Sequence, residues 1–395
     1  MRRLSLMLGL IVLIFVEVIR VYFIMPFPGS QQSNSIQFAY WLDQHINWVR
    51  IALWLAISYP IIKVYRGQNR WPKWLLGVTF LIYALVFWLF NFRFLADKMF
   101  LQSTEIRFES GNANSIGKEK LVVAIEINGE AKAYPVQLIG YHHQVRDKVG
   151  GKEVMVTYCT VCRTGRVYEP IVKGKLEDFR LVGMDHFNAL FEDASTKSWW
   201  RQATGEAITG PLRGQKLKEI PSRQMTLDAW LSIHPQSSIL QPDKKFQDQY
   251  ANLSNYEKGT IKGRLEKRDS GSWKSKSWVV GISYKGHSKA YDWNRLLQHR
   301  IINDSLPGLP LVLLIEIDNE TFHVFNAIFD GIRSNFHLSE KGDYLIDLHT
   351  NSKWTLDGFC FEGKSKGVKL ERVQAYQEFW HSWKEFHPTT LVDLK

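Results

Sequence analysis

Three long apolar runs crowd into the first hundred positions, and the pattern then changes to short β-branched stretches broken by turn residues. The runs are about Leu4 to Ile24, Ile46 to Ile62 and Trp74 to Phe92. Each approaches the ~20 residues that cross a ~30 Å hydrocarbon core as helix, a form that satisfies backbone groups where water is absent. They predict a membrane anchor over residues 1–98 with three transmembrane helices. A cleavable signal peptide is the competing reading of the first run, because Arg2 and Arg3 precede it. Its length, the lack of a small-x-small cleavage site and the two runs that follow favour a retained helix. Glu17 and Arg20 stand three apart on one helical face, so they pair or lie near the interface.

Beyond the anchor the sequence repeats. Val122 onward aligns without a gap to Val279 onward, an offset of 157 (279 − 122), and Lys132-Ala133-Tyr134, His142 and Asp147 recur as Lys289-Ala290-Tyr291, His299 and Asp304. Farther on, Trp200 matches Trp354, and His234-Pro235 matches His387-Pro388. The period is too long for a solenoid. Two copies of one fold follow, at 118–238 and 273–390, with polar 239–272 as linker or long loop. Asn128-Gly129 between apolar runs is a strong hairpin signal, and Gly150-Gly151 leads into a second strand, Val154 to Tyr158. Short helices at Thr226–Ile233 and Val373–Phe386 end at His-Pro. The fold class is therefore three N-terminal transmembrane α-helices followed by a β-rich α+β soluble region made of two tandem, divergent copies of one fold.

Charge adds orientation. Lys63, Arg66, Arg70 and Lys73 make the second loop basic, whereas Pro26 to His45 has no Lys or Arg. The positive-inside rule then places the N-terminus and that loop in the cytoplasm, and everything after about Asn91 outside. The net charge of +11 comes from scattered residues rather than a dense stripe, which favours a basic surface near anionic lipid over nucleic acid. The expected partners are the lipid bilayer and a protein redox partner, with no nucleic acid.

Only three cysteines occur, and Cys159 and Cys162 form a CxxC motif directly after a strand. Three readings compete. In a redox pair one thiolate attacks a disulfide and the second resolves the mixed disulfide. A metal site would take Cys159 and Cys162 with His142, His143 or His186. The third reading is an inert local disulfide. In the second copy Glu316 and Asn319 occupy the two positions, so the pair is not needed to form the fold. Arg163 and His143 are candidates to tune the thiols. His142, kept as His299, reads as a satisfied fold histidine, Asp147 as a turn cap, and Cys360 as a small buried residue. Gln202 and Thr204 are candidates to line a site. The cofactor stays open between none and a bound transition metal.

The string AKAYPVQLIGYHHQVRDKVGGKEVMVTYCTVCRTG, with STKSWWRQATGEAITGPLRG and LDAWLSIHP, resembles the uncharacterised bacterial family DUF3179 from about Leu121 onward. The family's motif resembles WHEIVND followed by VTYCPLCGT. Tyr141 stands here for its Trp, His143 for its Glu and Arg163 for its Gly. Some members are described as selenoproteins at the cysteine motif, which implies redox chemistry there. The expectation is a multi-pass protein of a bacterial cell membrane whose soluble region, on the periplasmic or extracellular side, acts as a thiol oxidoreductase through Cys159 and Cys162. The alternatives are a metal-binding module and a non-catalytic module for a glycan or protein partner.

Overall fold

The computed structural model describes residues 2–67 and 70–393; the side chains of Arg2, Arg3 and Arg70, on which part of the charge bias rests, lie outside that description. The chain separates into two compact units: Met1–Leu101 with Glu177–Arg201 and Glu206–Lys216, and Gln102–Leu176 with Gln202–Gly205 and Leu217–Lys395.

Helices α1 (Arg2–Tyr22), α2 (Ile36–Arg66) and α3 (Arg70–Trp88) open the first unit, and α3 runs into a π-turn at Leu89–Arg93. Segments Ile36–Arg66 and Lys73–Arg93 are long and apolar enough to cross a membrane. Exposed Trp48, Leu55, Trp74 and Leu81 lie on them, a surface that hydrocarbon solvates better than water. Helix α2 starts at Ile36 rather than Ile46. Gln37, Asp43 and Gln44 lower the hydropathy of its first turns, although Ala39, Leu42 and Ile46 are buried at helical spacing. Glu17 and Arg20 each bond across to other helices. Arg50 donates through Nε and Nη2 to the two Glu17 oxygens at 2.7 and 2.6 Å, joined by Tyr83 and Asn91. Arg20 donates to Asp43 at 3.2 Å and to Asn91 Oδ1 at 2.8 Å.

The same unit includes an antiparallel sheet of Phe179–Asp185, Asn188–Asp193, Trp199–Arg201 and Ala207–Thr209. It docks on the helix ends: Met184 N donates to Ile24 O at 2.8 Å, and Gln37 Nε2 donates to Ile208 O at 2.7 Å. Gly183 is required there, because a Cβ would lie 2.1 Å from Ile24 O.

The second unit is built from sheets. Strands Leu121–Ile127 and Glu130–Pro135 form a hairpin across Asn128-Gly129, both at positive φ, which is type I′ geometry. Helix Val136–His142 follows, then the antiparallel strands Gln144–Val149, Lys152–Cys159 and Thr164–Tyr168. Later in the chain, hairpin Trp278–Tyr284/His287–Asp292, helix Trp293–His299 and strands Ile301–Leu306, Leu309–Ile315 and Phe322–Asn326 follow in that order.

Three expectations change. Asp147 lies within a strand and accepts from Lys132 Nζ at 2.9 Å and Tyr134 OH at 2.7 Å, so its main work is between strands. Ala375–Phe379 is a strand paired with Trp278–Tyr284, and helix begins only at Trp380; its neighbouring strand overrides a helical pattern, as tertiary context commonly does. The polar stretch after Leu240 contains the short helix Gln247–Asn252 and buries Phe246, Tyr250 and Tyr256. Those aromatics are too sparse to leave a period.

Strand Ala375–Phe379 also packs on strand Thr164–Tyr168 through a buried ion pair. Glu378 Oε1 accepts from Arg166 Nη2 at 2.5 Å and from Thr164 Oγ1 at 2.9 Å. The Arg166 guanidinium lies 3.0 Å from the Tyr376 ring centre. Removing one partner of a buried pair leaves the other charge uncompensated. Glu378→Ala is therefore expected to cost about 3–5 kcal/mol, read as a lower thermal midpoint of the detergent-solubilised protein. A loss below about 1 kcal/mol, the level of a surface pair, would contradict it.

Candidate functional site

The cysteines stand at one end of the three-stranded sheet. Cys159 closes its strand opposite Thr164, and Thr160–Arg163 make the turn, with Arg163 at φ 56°. Gly165, paired with Tyr158, seats the returning strand. A Cβ there would lie 2.6 Å from Val123 Cγ2, so the close approach needs glycine. Cys159 and Cys162 are buried thiols, 1% and 0% exposed. A bulky disulfide substrate therefore meets them only after the turn opens.

Residues far along the chain fix every step of this turn. Tyr256 OH donates to Thr160 O at 2.9 Å. Lys276 Nζ donates to Val161 O at 2.8 Å, and Phe379 N donates to Cys162 O at 2.9 Å. Arg163 is fully enclosed. Its Nε donates to Gln377 Oε1 at 2.9 Å, its Nη2 donates to Glu257 O at 3.0 Å, and the guanidinium stacks 3.6 Å from the Trp278 ring centre.

Lys276 is a cation coupled to both thiols. Burial lowers its pKa, while the charges of Cys162 and Cys159 act in the opposite direction. By reciprocity the ammonium favours thiolate at both sulfurs. His381 Nε2 lies 3.1 Å from Lys276 Nζ and 3.2 Å from Val161 O. Burial, then the Lys276 charge, pushes its pKa down to about 3, so His381 is neutral near pH 7. Burial also raises Tyr158 to about 12.

The other sequence candidates fall in several places. His142 is buried, with Nε2 2.6 Å from Tyr250 OH. His143 caps its helix in a left-handed conformation, and burial holds it at about 4. Gln202 is buried and donates to Thr157 Oγ1 and Thr164 O, bracing the cysteine hairpin. His186 belongs to the first unit, where Nδ1 sits 2.8 Å from Asp185. Cys360 is buried in strand Cys360–Glu362. Among the described residues, no three His, Cys, Asp or Glu side chains come together so as to hold a metal ion. Lys276, His381 and Tyr256 were not singled out from sequence; they lie 94 or more positions from Cys162 (256 − 162 = 94), and no spacing marks them.

Removing the ammonium disfavours thiolate. In Lys276→Met the thiolate absorbance near 240 nm is expected to appear at higher pH than in the wild type, by about one unit. An unchanged titration would remove Lys276 from the site.

No curated protein and no solved structure matches the chain. Residues 104–390 match the family described as "Protein of unknown function (DUF3179)". That segment contains the cysteine turn and every residue that braces it, and covers well over half of the sequence, so the chain belongs to the DUF3179 family.

Proposed function

We propose that this is a membrane-tethered, extracytoplasmic thiol redox protein whose Cys159 and Cys162 cycle between dithiol and disulfide. The observation that carries the reading is the pair of buried thiols in one tight turn, with the half-buried Lys276 ammonium coupled to both. In the reaction a thiolate attacks an acceptor disulfide and expels one of its sulfurs, and the second cysteine then displaces the other. Two electrons pass to the acceptor, which leaves as two thiols, and the two cysteine protons are released to solvent or to those products. Lys276 stabilises the attacking thiolate. Enclosure of the sulfurs confines exchange to partners that open the turn, and it shields the thiols in an oxidising compartment.

Two structural assignments accompany this proposal. The soluble region is a tandem duplication. Lys132, Tyr134 and Asp147 meet as a cluster, and Lys289 bonds Asp304 beside Tyr291. Trp200 Nε1 donates to Asp193 as Trp354 Nε1 does to Asp347, and Trp230 stacks on His234 as Trp383 does on His387. In the second copy Glu316 pairs with His323 and Asn319 accepts from Arg300, so that turn has lost thiol chemistry and kept the fold. The anchor has three crossings, α1 included, with the basic α2–α3 loop on the cytoplasmic side.

Both parts are testable. Thiol trapping in glutathione buffers is expected to show one two-electron transition confined to Cys159 and Cys162, within the about −120 to −270 mV range of exchanging dithiols. Cys360 should be alkylated equally in both states after denaturation. A pair that stays reduced in oxidised glutathione, or stays disulfide under mild thiol, would sink the redox reading. Alkaline phosphatase fused after residue 104 is expected to be active and a fluorescent protein there dark; the reverse pattern overturns the sidedness.

A further inference from the structure

Lys276 and His381 are held face to face by the backbone on either side of them. Trp380 N donates to Ser277 O at 2.9 Å, and His381 N donates to Ser275 O at 3.0 Å. These two bonds bracket Lys276, so the start of helix Trp380–Phe386 cannot slide along residues 275–277 without breaking one of them. The Phe379 ring adjoins both side chains. Its centre is 4.6 Å from Lys276 Nζ, and it stacks with the His381 ring at 6.1 Å and 24°. Both side chains are half-buried. Lys276 Nζ is thereby placed 2.8 Å from the carbonyl of Val161, inside the cysteine turn, and 3.1 Å from His381 Nε2.

That contact fixes where the imidazole proton sits. An ammonium donates three hydrogens and accepts none. A ring nitrogen 3.1 Å from it is therefore the one with the lone pair, which puts the His381 hydrogen on Nδ1. The opposite tautomer would donate Nε2–H to Val161 O at 3.2 Å. It would also set an N–H against the ammonium and compete for a carbonyl that Lys276 already uses. The ring is neutral near pH 7, because burial and then the Lys276 charge oppose its protonation. Two of the three ammonium hydrogens are thus engaged, by Val161 O and His381 Nε2. After burial, the charges that act on Lys276 are Cys162, Cys159 and Glu266, in that order, so an ammonium fixed here acts chiefly on the sulfurs.

We propose that His381 is the positioning residue of the thiol site: its Nε2 lone pair accepts from Lys276 and holds the ammonium where it stabilises thiolate at Cys159 and Cys162. The inference rests on the thiol redox reading above, and it assigns His381 an action through Lys276. A lysine head is strongly hydrated and rides on a flexible four-carbon stem. Without the acceptor, a half-buried ammonium swings out towards water. Coulomb attraction falls with both distance and dielectric, so the thiolates lose its support although the cation is still in the chain. Glutamine at position 381 restores an acceptor oxygen, whereas leucine fills the space without one.

The test is a thiolate titration of the full-length protein in detergent, read by absorbance near 240 nm. In His381→Leu the thiolate is expected to appear about half a unit to one unit higher in pH than in the wild type. His381→Gln is expected to recover at least half of that shift. In a Lys276→Met background, His381→Leu is expected to add nothing, because an effect carried by the ammonium disappears with it. No shift in His381→Leu, a Gln variant no better than Leu, or a full shift in the Lys276→Met background each overturns the proposal. The wild type gives a reading that no misfolded variant can spoil. Nitrogen-15 spectra of histidine-labelled protein are expected to show the His381 ring as neutral Nδ1–H between about pH 5 and pH 8; an Nε2–H ring overturns the proposal. The two readings fail separately. Thiols that never cycle, with the expected tautomer and thiolate shifts, end the redox reading and leave the positioning of Lys276 standing. Cycling thiols beside an Nε2–H ring end only the role of His381.

Discussion

The buried pair between Arg166 and Glu378 is the constraint on which the site depends. Arg166 belongs to the strand that leaves the cysteine turn, and Glu378 to a strand more than two hundred positions later. Their contact, with Thr164 and Tyr376 beside it, presses the last strand of the chain against the cysteine hairpin. Desolvating two charges is expensive and offsets much of their attraction. What the pair supplies is register, because a shift of either strand would strand a charge. With that register set, the amide of Phe379 meets the carbonyl of Cys162 and the side chain of Gln377 meets Arg163.

The cysteine turn is therefore held by residues from much later in the chain. Tyr256 and Lys276 come from the stretch between Leu240 and strand Trp278–Tyr284, and Phe379, Gln377 and His381 from the last strand and helix of the chain. Arg163 also reaches the Glu257 backbone carbonyl at 3.0 Å and the Glu320 carboxylate at 3.9 Å.

In the first unit the helices are joined by polar contacts as well as apolar packing. Glu17, Arg50, Tyr83 and Asn91 form a polar knot among α1, α2 and the end of α3, beside the π-turn at Leu89–Arg93. Ionisable groups buried among apolar helices are costly unless they are paired, and here they are. The sheet Phe179–Thr209 is docked on the ends of these helices, so one stretch of the family sequence belongs to the same unit as the helices.

Much was legible in the sequence because it depends on local chemistry. Asn128-Gly129 supports a two-residue hairpin turn at positive φ. The β-branched runs give strands, the long apolar runs give helices, and cysteines three apart in a turn are neighbours by chain geometry alone. The sequence could not reveal that Arg163 would turn away into Gln377 and Trp278, nor that Lys276 would be the cation at the sulfurs. It could not show that Asp147 bridges strands or that Ala375–Phe379 is a strand. Each of these is set by a partner tens to hundreds of positions away, brought close by sheet packing. Local pattern determines which elements form; only tertiary structure decides which charges end up buried together, because that energy is a property of the pair and its dielectric surroundings rather than of either residue.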